Sequence, residues 1–387
     1  MTVFRPFRTV LLGSAVIALL SAQGQASTLD TPASHVYLMD TRTNAVLLNK
    51  SGNDLMAPAS MSKLMTLFMV FERLQDGRLS LDDKFTVSEN AWAKGGAKTG
   101  GSTMFLEPGM RVRVEDLIRG IIVQSGNDAC IVIAEALSGT EDAFAQEMTE
   151  RARELGMTDS TFRNSTGWPN PDHRVTAHDL AILAKLTVEK FPTYYSYYSE
   201  KEFTFNGIRQ SNRNPLIYKD MGADGLKTGH TEESGYGLTA SAERQGRRLV
   251  LVVNGLESQK MRSTESERLL DWGFREFDNY ALFKAGDVVT DANVWLGAQG
   301  TVPMVIREDL VLTMPKKSRK DMQVKVVYEG PIPAPVMEGQ PIAKLIVSAN
   351  DMDDIEVPLV AANDVARLGL TGRLGAALDY ILWGSSH

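Results

Sequence analysis

Residues 61–77, MSKLMTLFMVFERLQDG, place Met61, Leu64, Met65, Phe68, Met69 and Glu72 at helical spacing, and Gly77 marks the stop. This helix is apolar on most faces, which puts it inside a core rather than on a surface. Ahead of it, HVYLMDTRTNAVLLNK (35–50) predicts two short strands around a turn at Arg42-Thr43-Asn44. Behind it, helical patterns cover 115–123, 126–138, 141–156 and 176–190. YGLTASAERQ and RRLVLVVNGL then read as a β-hairpin turning at Gly246, and a last helix spans 261–278. Strands, a block of helices and strands again predict an α+β body with one antiparallel sheet shared by both ends.

After Tyr280 the pattern changes. MQVKVVYEG alternates, with Val324, Val326 and Tyr328 on one side, and Pro331, Pro333 and Pro335 punctuate the stretch behind it. No long helical pattern intervenes, so 281–361 is expected to form a small all-β sandwich domain after a body of 27–280. In the tail, 362–387, Leu370, Leu374, Ala377, Leu378, Ile381 and Leu382 share one face of an amphipathic helix. Two readings stand: the tail packs on the domain before it, or lies in a membrane interface with Trp383 at headgroup level. At the other end, Arg5 and Arg8 precede an apolar run from Val10 to Leu20, followed by small residues up to Ala26. That run is too short to span a bilayer and describes a secretory signal peptide over 1–26, hence export to the periplasm.

Composition adds exclusions. The chain has 387 residues, 43% apolar and 23% charged, with a net charge of −7. Its one basic cluster, Lys316-Lys317-Ser318-Arg319-Lys320, reads as a solvated turn, so no nucleic-acid partner is expected. The single cysteine, Cys130, allows no internal disulfide and sits in an apolar helical pattern as a structural residue. Five histidines show no metal-ligand spacing, so neither a metal nor another cofactor is implied.

Three short motifs carry candidate chemistry. Ser60-Met61-Ser62-Lys63 is the only Ser-x-x-Lys in the chain and opens the buried helix, putting Ser60 and Lys63 one turn apart on one face. A serine hydroxyl needs a base to become nucleophilic, and a lysine whose charge is disfavoured by burial supplies one. The competing reading is an N-cap serine beside a surface lysine. Ser125-Gly126-Asn127 lies between two helices, but Ser51-Gly52-Asn53 repeats it in a turn. Lys-Thr-Gly also occurs twice. Lys98-Thr99-Gly100 stands among Gly95, Gly96 and Gly101, which favours a loop, and Lys227-Thr228-Gly229 stands just ahead of the hairpin.

The order Ser-x-x-Lys, Ser-x-Asn, Lys-Thr-Gly resembles the serine penicillin-recognising enzymes, most closely the D-alanyl-D-alanine carboxypeptidases among the low-molecular-mass penicillin-binding proteins. APASMSKLMT, GGSTMFLEPG, VQSGNDACIVIAE, NSTGWPNPDHRVTAHDLA and DGLKTGHTEESGYGLTASA extend the likeness over most of the chain. The resemblance implies a β-lactamase/transpeptidase-like catalytic domain, with Ser60 as nucleophile, Lys63 as base and Ser125 as proton relay. It implies that Asn127 positions substrate and that Lys227, Thr228 and Gly229 face the peptide carboxylate. The backbone N–H groups of Ser60 and His230 would form the oxyanion hole, with Arg213 and Arg262 assisting at the carboxylate. The implied partners are peptidoglycan pentapeptides ending in D-Ala-D-Ala, β-lactams as covalent inhibitors, and a membrane surface at the tail. Lys98-Thr99-Gly100 would be a coincidence beside the cleft. His173 is assigned no catalytic role and reads as a loop histidine.

Alternatives remain at this level. A class A β-lactamase shares the motifs but needs a glutamate in the loop after Ser-x-Asn, and residues 155–188 contain none. An endopeptidase or transpeptidase of the same fold would use the same residues. A non-catalytic peptidoglycan scaffold is disfavoured by the intact Ser60, Lys63, Ser125 and Lys227.

Overall fold

The computed structural model describes residues 29–375; the expected signal peptide and residues 376–387 of the tail lie outside the described residues. β1 (His35–Asp40) and β2 (Val46–Lys50) form the expected hairpin, followed by a 3-10 turn over Ala59–Ser62 and α1 (Lys63–Gln75). β3 (Lys84–Thr86) and β4 (Arg111–Arg113) pair on either side of α2 (Glu89–Gly95). The expected helical block comes next as α3 (Val114–Val123), α4 (Asn127–Ser138), α5 (Glu141–Glu154) and α6 (Ala177–Lys190). After α7 (Pro192–Tyr195) and the hairpin β5 (Glu202–Phe205) and β6 (Ile208–Ser211), the chain returns to the main sheet. It does so as β7 (Ala223–Thr231), β8 (Gly235–Arg244) and β9 (Arg247–Leu256), and α8 (Gln259–Glu276) closes the body.

The sheet order is β2-β1-β9-β8-β7, antiparallel throughout, with His35 opposite Asn254 and Lys227 opposite Thr239. Both chain ends of the body therefore meet in one sheet. β9 shows why its sequence, LVLVV, does not alternate with polar residues. Val250 and Val252 enter the core formed with α1, α3, α4 and α6, whereas Leu249, Leu251 and Val253 enter the core under α8. A strand covered on both faces reads as a continuous apolar run.

α1 is the centre of the larger core. Every residue from Lys63 to Phe71 is buried, which fulfils the all-round apolar pattern. Its start differs from the expected position, because Ser60 sits in the preceding 3-10 turn rather than in the α-helix. The competing N-cap reading also fails on geometry. Ser88, Thr140, Thr176 and Ser258 cap α2, α5, α6 and α8 through their hydroxyls. Neither the 3-10 turn nor α1 has a side-chain cap, so the Ser60 hydroxyl is not spent on a helix end.

Beyond α8 the chain is β-rich: β10 (Phe277–Phe283), β11 (Val288–Trp295), β12 (Thr301–Val305) and β13 (Leu310–Pro315), then β14 (Gln323–Val327), β15 (Ile332–Pro333), β16 (Pro341–Ser348) and β17 (Ile355–Ala361). β10 pairs with β13, and the others form a sheet ordered β14-β16-β17-β12-β11-β15. Both sheets feed one separate core, including Leu312, Met304, Leu345, Val347 and Leu359. This is the expected all-β domain. β14 is an edge strand, and although Val326 and Tyr328 pack on the core, Val324 on the same side is 40% exposed. The basic cluster forms a 3-10 turn (Lys316–Asp321) whose Arg319 lies over the Tyr280 ring. A helical segment begins at Leu370, and both Leu370 and Leu374 are exposed.

Candidate active site

The three motifs converge on the junction between the helical block and the edge strand β7. Ser60 lies on the 3-10 turn, where residues three apart eclipse one another, and Lys63 follows at that spacing. The Lys63 Nζ donates to Ser60 Oγ at 2.9 Å, to Asn127 Oδ1 at 2.8 Å and to the Thr166 carbonyl at 2.6 Å. Its three N–H donors are thus matched by three acceptors, none of them a carboxylate. Burial is the main reason its pKa falls to about 8; Arg213 lowers it further, against opposing pulls from Cys130, Asp128 and Glu141.

Ser125 and Asn127 come from the link into α4 and its first residue. Both are buried, and Ser125 Oγ accepts from the Lys227 Nζ at 3.0 Å. Lys227 is itself buried on β7, held well below the ordinary lysine range by burial and then by Lys63 and Arg213, with a smaller push from Arg262. The hydrogen bonds thus form two groups, Ser60–Lys63–Asn127 and Ser125–Lys227. Two residues here take left-handed backbone without being glycine: Ala59 (φ 48°), just before Ser60, and Ser125 (φ 60°). Such conformations cost about 1–3 kcal/mol and persist where the surroundings enforce them.

Gly229 explains how β7 approaches Ser60. A Cβ at this position would stand 2.8 Å from the Pro58 carbonyl and 3.2 Å from Ala59 Cβ, so a side chain would push the strand off the turn. Thr228 beside it is buried, whereas His230 is exposed and stacks on Tyr236 at 3.9 Å between ring centroids. Arg213 donates to Ser102 Oγ at the exposed rim, and the Ser102 carbonyl accepts from the Asn127 N–H at 2.8 Å. Arg262 on α8 is buried against Tyr236, reaches the Arg213 carbonyl at 3.5 Å, and has no hydrogen-bond partner for Nε among the described residues. Burial brings its pKa down to about 10.

Lys63, Lys227, Arg213 and Arg262 thus converge on one cleft. The nearby carboxylates are engaged elsewhere: Asp128 accepts from Met104 N–H, Leu106 N–H and Thr103 Oγ1, and Glu141 accepts from Ser165. Among the described residues the cleft is cationic without a built-in counter-ion, a field that favours an anionic end group. A hollow of about 450 Å³ between α1 and α5 lies elsewhere and is lined by ion-paired residues such as Glu72, Arg73 and Arg151.

The second Lys-Thr-Gly separates cleanly. Lys98 is exposed, with Nζ 4.2 Å from the Trp92 ring centroid, on a 3-10 turn ending at Gly100 (φ 71°). The loop does border the cleft, since a Cβ on Gly101 would lie 3.0 Å from Asn127 Nδ2. His173 lies in a loop, as expected, but the ring is internal: it is 2% exposed, contacts Ser62 Oγ at 2.8 Å, and burial lowers its pKa to about 4. Thr166 was also missed, because its contribution is a backbone carbonyl. The polar turn around it left a trace, with Asn164 Oδ1 accepting from the N–H groups of Thr166, Gly167 and Trp168. Cys130 is buried as expected, its thiol pushed up to about 12 by desolvation.

Comparison with known proteins fits this geometry. The family model described as D-alanyl-D-alanine carboxypeptidase, peptidase family S11, matches residues 22–258. The chain belongs to that family. The model of the penicillin-binding protein 5 C-terminal domain matches residues 277–367. The D-alanyl-D-alanine carboxypeptidase DacC of Escherichia coli is 36% identical over 375 residues, 95% of this chain and 94% of the relative. Penicillin-binding protein 5 of Haemophilus influenzae superposes with a TM-score of 0.77 at 34% identity, over 88% of this chain and all of that one. Penicillin-binding protein D2 of Listeria monocytogenes, solved in an ampicillin-bound form, has a TM-score of 0.56 at 28% identity over 64% of this chain and 99% of its own. As a family member the chain is a peptidase. No helix among the described residues is long and apolar enough to cross a membrane.

Proposed function

We propose that this chain is a serine D-alanyl-D-alanine carboxypeptidase that releases the terminal D-alanine of peptidoglycan stem peptides through an ester at Ser60. The observation that carries the reading is Lys63 Nζ at 2.9 Å from Ser60 Oγ, in surroundings that bring its pKa to about 8. Neutral Lys63 takes the hydroxyl proton as Oγ attacks the penultimate carbonyl. The Ser60 and His230 N–H groups hold the developing oxyanion, and each such donor is worth about 10²–10³ in rate. Ser125, hydrogen-bonded to Lys227, relays the proton held by Lys63 to the departing amine, which returns Lys63 to its neutral form. Lys227, Thr228 and the two arginines receive the free carboxylate, which a cationic cleft without a counter-ion favours. Asn127 orients the peptide amide while fixing Lys63. Water then cleaves the ester.

A β-lactam acylates the same serine, but its amine stays tethered in the ring-opened adduct and obstructs water. The loop from Arg163 to Arg174 supplies no glutamate to activate a water from another direction, so the adduct should persist. The test is to incubate the purified protein with a peptide ending in D-Ala-D-Ala and with a fluorescent penicillin. Released D-alanine and a covalent label are expected. Multiple-turnover penicillin hydrolysis without D-alanine release would move the protein to the β-lactamases, and transfer to an added amine in preference to water would make it a transpeptidase.

The same reading includes export through residues 1–26 and residence in the periplasm on the outer face of the cytoplasmic membrane. Exposure of Leu370 (74%) and Leu374 (66%), one helical turn apart, supports an apolar face that its own domain leaves uncovered. A chain ending at Ala361 is expected to keep its activity and to leave the membrane pellet; equal pelleting with the full chain would mean the tail is structural.

A further inference from the structure

His173 is the internal group that the chemistry above does not use. The segment from Phe162 to Arg174 forms a loop whose neck is closed by reciprocal backbone bonds between Thr161 and Arg174, at 2.7 and 3.1 Å. Inside that neck, the Arg163 N–H donates to His173 Nδ1 at 3.3 Å. A backbone N–H can only donate, so Nδ1 carries a lone pair, and in the neutral ring the proton sits on Nε2. Nε2–H therefore donates to Ser62 Oγ at 2.8 Å. Phe162 packs edge-on against the ring at 5.5 Å between centroids. Ser62 is fully buried and lies between Ser60 and Lys63 on the turn that carries both.

The tip of the same loop touches the site directly. Thr166 gives its carbonyl to Lys63, the Ser165 carbonyl accepts from Thr66 Oγ1 at 2.7 Å, and Gly167 fits under the Ala59 carbonyl, where a Cβ would stand at 1.8 Å. We infer that His173 is a positioning residue for acylation: it ties both limbs of the 162–174 loop to Ser62 and thereby holds the Thr166 carbonyl against Lys63. This rests on the proposed Ser60–Lys63 chemistry. The ring keeps its neutral, donating form above about pH 4, because burial and the positive charges of Arg174, Lys63 and Arg163 all disfavour protonation.

The consequence is readable in Lys63. A carbonyl acceptor stabilises the ammonium, so withdrawing it lowers the lysine pKa and moves the pH midpoint of acylation downward. The other charged or titratable groups acting on Lys63 are Cys130 and Asp128 on α4, Glu141 on α5 and Arg213 after β6, with Lys227 of β7 coupled to it. None of them is altered by substitution at His173.

The experiment measures penicillin acylation rate against pH, with melting temperature alongside, in the full chain and in His173→Leu, His173→Gln and Ser62→Ala. His173→Leu and Ser62→Ala are expected to slow acylation about 10- to 100-fold, the scale of a small misplacement of reacting groups, and to move the midpoint below that of the unaltered protein. His173→Gln, which keeps a donor for Ser62, is expected to stay within about threefold, with its midpoint in place. The double variant should lose no more than either single one, because both act through one bond. Ser62→Ala removes only one oxygen, so it keeps the test open if His173→Leu does not fold. Folded variants that acylate at the unaltered rate and midpoint, even with lower melting temperatures, would make His173 purely structural. Absence of acylation in the unaltered protein would instead overturn the proposed Ser60–Lys63 chemistry.

Discussion

Lys227-Thr228-Gly229 and Lys98-Thr99-Gly100 are the same tripeptide in two surroundings. On β7 the lysine is buried, bonded to Ser125 and pressed by Lys63 and Arg213; on the loop it is exposed over Trp92. The glycines differ as well. Gly229 is needed because Pro58 and Ala59 leave no room for a side chain, whereas Gly100 faces open space and is used for its left-handed backbone. The tripeptide alone therefore carries no chemistry. What confers it is a strand edge that delivers the lysine into a cleft shared with three other cations.

The comparison breaks most easily by substitution. Lys227→Ala removes the donor to Ser125 and the charge proposed to face the substrate carboxylate, so D-alanine release should fall about 10²- to 10³-fold, as for loss of a preorganised charge partner. Lys98→Ala should change it by less than about twofold, within the usual effect of a surface substitution. Equal losses, measured as kcat/KM on the same peptide, would erase the distinction between strand and loop.

A smaller effect sharpens it. Lys63 acts as a base only when neutral, and its pKa is about 8. Acylation should therefore rise about tenfold per pH unit below that value and level off above it. Lys227 in its proposed role works in the opposite sense, because it would have to be charged to hold a carboxylate, and burial disfavours that charge. Activity on the peptide should therefore decline on the alkaline side. A bound carboxylate favours the charged lysine, so this decline should come at higher pH in kcat than in kcat/KM. Stopped-flow acylation and steady-state release across pH check both limbs, and a flat profile through pH 8 would contradict the assignment of Lys63.

Much of this was legible in the sequence, for identifiable reasons. α1 announced itself because nine consecutive residues from Lys63 to Phe71 are buried, and a lysine inside such a run can only be internal. The helical block was legible because its periods are strong, and β9 because it is a short, continuous apolar run rich in valine. The 3-10 turn was not, since four residues at the head of an apolar helix look alike in either form. Nor were the left-handed Ala59 and Ser125, whose conformations are imposed by packing rather than by residue type. Thr166 escaped because a backbone carbonyl has no side-chain signature. His173 escaped because the partner that internalises it, Ser62, is 111 residues away in sequence. Motif order pointed to Ser60, Lys63, Ser125 and Lys227; only the fold showed which groups pack against them.

The central claim, that Ser60 with Lys63 forms the covalent intermediate, is tested most directly by mass. Benzylpenicillin is added to the full chain and to Ser60→Ala, followed by intact-mass analysis over time and peptide mapping of the adduct. One penicilloyl group on Ser60, long-lived in the unaltered protein and missing from Ser60→Ala, is the expected result. An adduct on another residue, an adduct retained by Ser60→Ala, or one that clears within milliseconds would contradict the account.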